Sequence, residues 1–152
     1  MTTNAMCSFG AAILAAAFAA PATAQIAGYY DGTSADGLGV SFQVGTDPSN
    51  GNPAIVSAGV NFAAPCKNSA LVLDESQGYF ITADISNRNV TNTTSTPFYW
   101  IKFSLKFSSD GLSATGTVTS VGPYLNPANS PPIKSLTCKS PTQSLSVTYS
   151  HG

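Results

Sequence analysis

The chain has 152 residues, of which 9% are charged and 43% apolar, and a formal net charge of −1. Ordinary domains carry about a quarter charged residues. The low charge and the lack of a basic stripe to track phosphates argue against nucleic-acid binding. A surface built instead from Ser, Thr, Asn and Gly is typical of extracellular β proteins.

Residues 1–24 read as a secretory signal peptide. Ala11 to Ala20 is an alanine-rich apolar run containing Ile13, Leu14 and Phe18. Pro21 breaks it, and Ala22-Thr23-Ala24 is a small-x-small cleavage site ahead of Gln25. The run is too short to cross the roughly 30 Å hydrocarbon layer as a helix. The expectation is therefore one domain over residues 25–152, secreted, periplasmic or at the cell surface, with no membrane span after cleavage. Cleavage also removes Cys7, leaving Cys66 and Cys138. Two cysteines in an exported chain predict one disulfide. It would close a loop of about 73 residues, worth roughly 4 kcal/mol in the chain-entropy picture.

After the signal, periodicity favours strands. GYYDGTSADGLGVSFQVG, residues 28–45, predicts a strand over Ile26 to Thr33, a bend over Ser34 to Gly37, and a return strand over Leu38 to Gly45. In the return strand Val40, Phe42 and Val44 alternate with Ser41 and Gln43. Thr46 to Pro53 is turn chemistry throughout. Val56, Ala58, Val60 and Phe62 then share a face. Ala70 to Glu75 and Tyr79 to Ile85 predict two strands around a hairpin turn at Ser76-Gln77-Gly78. Ser86 to Pro97 reads as a polar exposed loop, with glycosylation sequons at Asn89 and Asn92.

The clearest strand is Tyr99 to Phe107. Ile101, Phe103, Leu105 and Phe107 fall on one face and Lys102, Ser104 and Lys106 on the other, which only a period of two allows. Leu112 to Val121 is Thr-rich, with Leu112, Ala114, Gly116 and Val118 as its expected inward set. Gly122 to Pro141 contains five prolines and Cys138. A loop of that length is functional or pinned, and the disulfide would pin it. Leu145, Val147 and Tyr149 form the last alternating strand. The tetrapeptides Ala35-Asp36-Gly37-Leu38 and Ser109-Asp110-Gly111-Leu112 echo each other as reused hairpin chemistry. About eight short strands and no helical period predict an all-β fold. The expected form is a single antiparallel β-sandwich, Ig-like or jelly-roll-like, with a small β-barrel as the alternative.

The chemistry-bearing residues are few. An acyl-transfer triad needs an imidazole beside its nucleophile, and the one histidine, His151, is penultimate. Paired carboxylates for glycoside hydrolysis have little support: Asp31, Asp36, Asp47 and Asp110 sit in turn-like contexts, where Asp bonds its own backbone. Asp74 and Glu75, adjacent on a strand, point to opposite faces. Asp31, Asp36 and Asp47 are also the candidates for a calcium site, although their spacing fits no known calcium loop and reads as turn formation. No enzymatic activity, cofactor or metal is expected. The candidate binding surface is Trp100 with Lys102, outward if Ile101 and Phe103 face the core, together with Tyr124 in the proline-rich loop. An outward Trp beside cations and hydroxyls could stack on a sugar ring or anchor a protein partner.

Gly28-Tyr29-Tyr30-x-Gly32-Thr33-Ser34, then Asp36-Gly37 and Val40-Ser41-Phe42-x-Val44, resembles the opening of small secreted bacterial β-sandwich-like proteins of uncharacterised function. In these a cysteine follows, then a segment like Ser113-Ala114-Thr115-Gly116-Thr117-Val118, then a second cysteine. The resemblance implies a β-rich exported domain and no activity. Chaperone–usher pilins share the size, the export, the low charge and an alternating C-terminal strand, but their disulfide closes a shorter loop. The expected function is a non-enzymatic cell-envelope or extracellular binding or structural module for an unknown protein or carbohydrate ligand, or alternatively a pilin-like subunit of a polymeric surface fibre, with an enzyme of unrecognised type as a minor alternative.

Overall fold

The structure, a computed structural model, describes residues 25–95, 99–123 and 136–152. The signal segment over 1–24 and Tyr124 lie outside the described residues. Nine antiparallel strands form one sheet: β1 (Gly28–Ser34), β2 (Gly39–Thr46), β3 (Pro53–Pro65), β4 (Val72–Asp84), β5 (Asn89–Ser95), β6 (Trp100–Phe107), β7 (Ser113–Pro123), β8 (Thr137–Lys139) and β9 (Gln143–His151). The spatial order is β4-β3-β2-β1-β9-β7-β6-β5, with β8 on the end of β7. The fold is thus all-β, as expected, a sheet curled into a nearly closed barrel. β1–β4 and β5–β7 are two meanders, and β9 joins them between β1 and β7.

Alternation drives the curl. β6 buries Ile101, Phe103, Leu105 and Phe107, and β2 buries Val40, Phe42 and Val44. Phe42 and Phe103 meet across the interior with ring centroids 5.1 Å apart. Tyr30 of β1 packs edge-on against Phe107 and Tyr149. Two glycines permit the tightest strand approaches. A Cβ at Gly32 would fall 1.9 Å from the Ser146 carbonyl oxygen, and one at Gly116 1.8 Å from that of Ser104. Gly here marks a place where backbones crowd, as at barrel corners.

The echoed tetrapeptides build the same turn twice. Gly37 N donates to Ser34 O and Gly111 N to Ser108 O, at 2.9 and 3.2 Å. Both glycines have positive φ, 82° and 73°. In each, the serine hydroxyl donates to the Asp two residues on, Ser34 to Asp36 and Ser108 to Asp110. Asp36 is therefore a turn former in the β1–β2 hairpin.

Four sequence expectations need correction. Ser76-Gln77-Gly78 is not a turn but the middle of β4, because the 13-residue β3 pairs with it across Asn61↔Ser76, Val60↔Gln77 and Gly59↔Gly78. Ser86 to Ser95 is not a loop. Asn87 and Arg88 both have positive φ, forming the two-residue primed type of hairpin turn, and β5 follows as a Thr-rich strand paired to β6. The inward phase of β3 shifts at a register irregularity, so Ile55 is buried and Val56 only half so. Leu112 lies in the β6–β7 turn, 47% exposed, while Ala114 and Val118 face the core.

The disulfide forms as expected. Cys66, just past β3, pairs with Cys138 of β8 in an isolated antiparallel bridge. Lys67 N donates to Thr137 O beside it. The bond ties the first meander to the proline-rich segment's far end.

Candidate functional site

The parity of β6 carries its outward face. Because Ile101 and Phe103 are buried, Trp100, Lys102, Ser104 and Lys106 point the other way. Trp100 is half-buried, and Lys102 and Lys106 are exposed. Hydroxyls flank Lys102 on both sides and Lys106 on one. Lys102 lies opposite Thr93 of β5 and Thr119 of β7, and Lys106 lies opposite Thr115. Thr91 donates to Ser104 Oγ at 3.0 Å. The result is a hydroxyl field with an indole at one end and ammonium groups spaced along it. Trp100 and Lys102 thus share a face, as expected.

Charge is unevenly divided along the chain. Six of the seven carboxylates but only one of the six cations precede residue 86. The second meander and its neighbours therefore carry an excess of cations, with Arg88, Lys102 and Lys106 on its described part. This signal was available in the sequence, hidden by the near-zero net charge.

A second cluster lies on the outer side of the β1–β9 pair, formed by residues far apart in sequence. The Ser150 hydroxyl donates to Asp31 Oδ2 at 2.5 Å and lies 3.0 Å from His151 Nδ1. The imidazole stacks on Tyr29, with centroids 4.7 Å apart. The three residue types are those of an acyl-transfer relay, but their order differs. In the relay the imidazole stands between hydroxyl and carboxylate, taking the proton from one and being held by the other. Here serine is central and gives its hydrogen to the carboxylate. Asp31 also borders a shallow groove of about 320 Å³, whose floor includes Gly32, Gly39, Ser41 and Gly59.

Three further carboxylates are engaged locally. Asp47 Oδ1 accepts from the Ser49 hydroxyl and the Ser49 N–H, both at 2.7 Å, and these bonds hold its carboxyl below the ordinary carboxylate range. Asp110 Oδ1 accepts from Ser108 Oγ and from Leu112 N, with the same consequence. Asp84 Oδ2 accepts from Asn50 and Asn52. Asp31, Asp36 and Asp47 thus serve separate local bonds, and no group of three or more His, Cys, Asp or Glu is placed to hold a metal among the described residues.

The fold and face define an antiparallel all-β domain with an aromatic and cationic outer surface. No protein-family model matches the chain, and no curated protein or solved structure is detectably similar to it.

Proposed function

We propose that the chain is an exported, non-enzymatic binding module whose outward β6 face engages an acidic carbohydrate outside the cytoplasm. The observation that carries this reading is the half-exposed Trp100 on one face with the exposed Lys102 and Lys106. An indole stacks on sugar rings, ammonium groups pair with carboxylate or sulfate substituents, and the surrounding hydroxyls bond the ring oxygens. The signal-like residues 1–24 and the Cys66–Cys138 bond support an extracytoplasmic setting.

A glycan array carrying acidic and neutral polysaccharides tests it. Binding to the acidic members should fall in Trp100→Ala and in the double variant Lys102→Ala/Lys106→Ala, and should weaken with added salt. An identical binding profile for all three proteins would sink the reading. A second reading, a subunit of a polymeric surface fibre, draws on the edges of β4 and β5, which end the sheet. Size-exclusion chromatography decides it, since a stable monomer at all concentrations removes the fibre.

A further inference from the structure

The outer surface beside the β4–β5 and β6–β7 turns holds a groove of about 350 Å³, lined by Arg88, Lys106, Ser108, Ser113 and Thr115. Phe107 and Ala114, both buried, complete it. The ladder makes this group compact. Lys106 of β6 lies directly opposite Thr115 of β7, and just beyond it Ser108 N donates to Ser113 O at 2.9 Å. On the other side of β6, Phe107 N donates to Arg88 O at 2.8 Å, which sets the turn residue between these two steps. The five side chains thus start within about 7 Å of one another along the strand direction.

The lining contains two cations and no carboxylate. Neither cation has an ion-pair partner among the described residues. Two like charges brought to one groove repel each other, and an anion seated between them replaces that repulsion with two attractions. Asp110, the one carboxylate after residue 86, sits in the adjoining turn but outside the lining. Its Oδ1 accepts from Ser108 Oγ and from Leu112 N, so the turn's own donors hold its charge. The Ser108 hydroxyl is thereby committed to the turn. Ser113 and Thr115 supply the hydroxyl donors of the groove.

We propose that this groove takes a tetrahedral ester oxyanion, a sulfate or phosphate group carried on a polysaccharide. The site rests on the β6 face being the carbohydrate surface and narrows the acid to an ester rather than a carboxylate. Geometry selects the class. A carboxylate offers two oxygens in one plane, which a single guanidinium fork satisfies. A phosphate ester, and a sulfate ester of the same shape, presents three acceptor oxygens pointing apart. Here the donors come from three places: Arg88 from the β4–β5 turn, Lys106 from β6, and Ser113 and Thr115 from β7. Trp100 is six residues from Lys106 on β6, about 20 Å along the strand. A ring stacked on the indole and an ester seated in the groove therefore belong to different sugar units, which calls for a chain and not a single sugar.

Calorimetry on the purified protein at fixed salt tests the assignment with dextran, carboxymethyl-dextran, dextran sulfate and dextran phosphate, the last three matched in charge density. At least one ester should bind about tenfold tighter than carboxymethyl-dextran, as one added charge-assisted hydrogen bond implies. Whichever ester binds more tightly identifies the group. Arg88→Asn should abolish that preference, and it suits the site because Arg88 has a φ of 64° and Asn tolerates positive φ. Should Arg88→Asn fail to fold, Thr115→Val reads the same preference. The proposal is overturned by equal affinity for the ester and carboxymethyl polymers, by no binding of either ester, or by a preference unchanged in Arg88→Asn. Inorganic phosphate or sulfate binding as tightly as the polymers also overturns it, by showing that the ligand is a free ion. Trp100→Ala keeps the two readings apart. If it binds the esters like wild type while Arg88→Asn does not, the ester groove stands and the indole's part in the β6 face falls. A loss confined to Trp100→Ala leaves the β6 face standing and overturns the groove.

Discussion

The hydroxyl of Tyr30 donates to the carbonyl of Gly111 at 2.6 Å, joining β1 to the β6–β7 turn across 81 residues of chain. The Ile26 carbonyl lies 2.9 Å from the same oxygen, and a phenol has one hydrogen, so the two acceptors share it. Tyr30 is fully buried between Phe107 and Tyr149. Tyr30→Phe keeps the ring packing and leaves the Gly111 carbonyl without this donor. A loss of about 1–3 kcal/mol is expected, measured by urea unfolding with an unchanged m-value. A variant as stable as wild type would mean that water replaces the bond.

The Cys66–Cys138 bond spans 72 residues and joins the residue just past β3 to β8. In the chain-entropy picture most of its effect is on the unfolded state. Cys66→Ser/Cys138→Ser should therefore lose roughly 2–5 kcal/mol while keeping the β-sheet circular dichroism spectrum. Thermal melts of wild type with and without reductant give an independent reading. If reductant leaves the melting temperature in place, the staple is dispensable.

How far the sequence could be read follows from which interactions are local. Ile101 to Phe107 and Val40 to Val44 showed their strand and facing at once, because alternation is a property of neighbouring residues. The parity of Ile101 also placed Trp100 and Lys102 outward. β5 was missed because a strand at the sheet's end needs little apolar content: Val90 is its only fully buried side chain. The middle of β4 was missed because Ser76-Gln77-Gly78 has turn composition, and only the length of β3 holds it extended. The Asp31–Ser150 contact, 119 residues apart, depends on β9 lying beside β1.

Three buried phenols set the alkaline limit. Desolvation is the largest influence on Tyr30, Tyr79 and Tyr99 and raises all three, with Tyr79 pushed up to about 12. Above the ordinary value near 10 the unfolded chain releases these protons while the native state keeps them. The unfolded state then binds fewer protons, so stability falls as pH rises. The melting temperature should hold up to about pH 10 and decline between there and about 12, with a shallower decline in Tyr79→Phe. A flat profile across that window would show that the phenols ionise freely in the folded protein.

Two glycines of the fold separate steric from conformational demand. Gly37 has a φ of 82°, but a Cβ there would meet no atom within 4 Å. Gly37→Ala should cost only about 1 kcal/mol, the penalty for a left-handed backbone. Gly116 lies on β7 between Leu105 of β6 and Leu145 of β9. Its Cβ would sit 1.8 Å from the Ser104 carbonyl oxygen, 2.9 Å from the Ser104 carbonyl carbon and 3.0 Å from the Leu105 Cα. All three atoms are backbone, so no side-chain rotation relieves the clash, and β6 and β7 must separate in the centre of their ladder. Gly116→Ala should therefore cost about 3 kcal/mol or more, or prevent folding, as read by thermal melts of the two variants side by side. Equal losses would mean that the β6–β7 pair has room to spread, and that the barrel's curvature does not require glycine at this position.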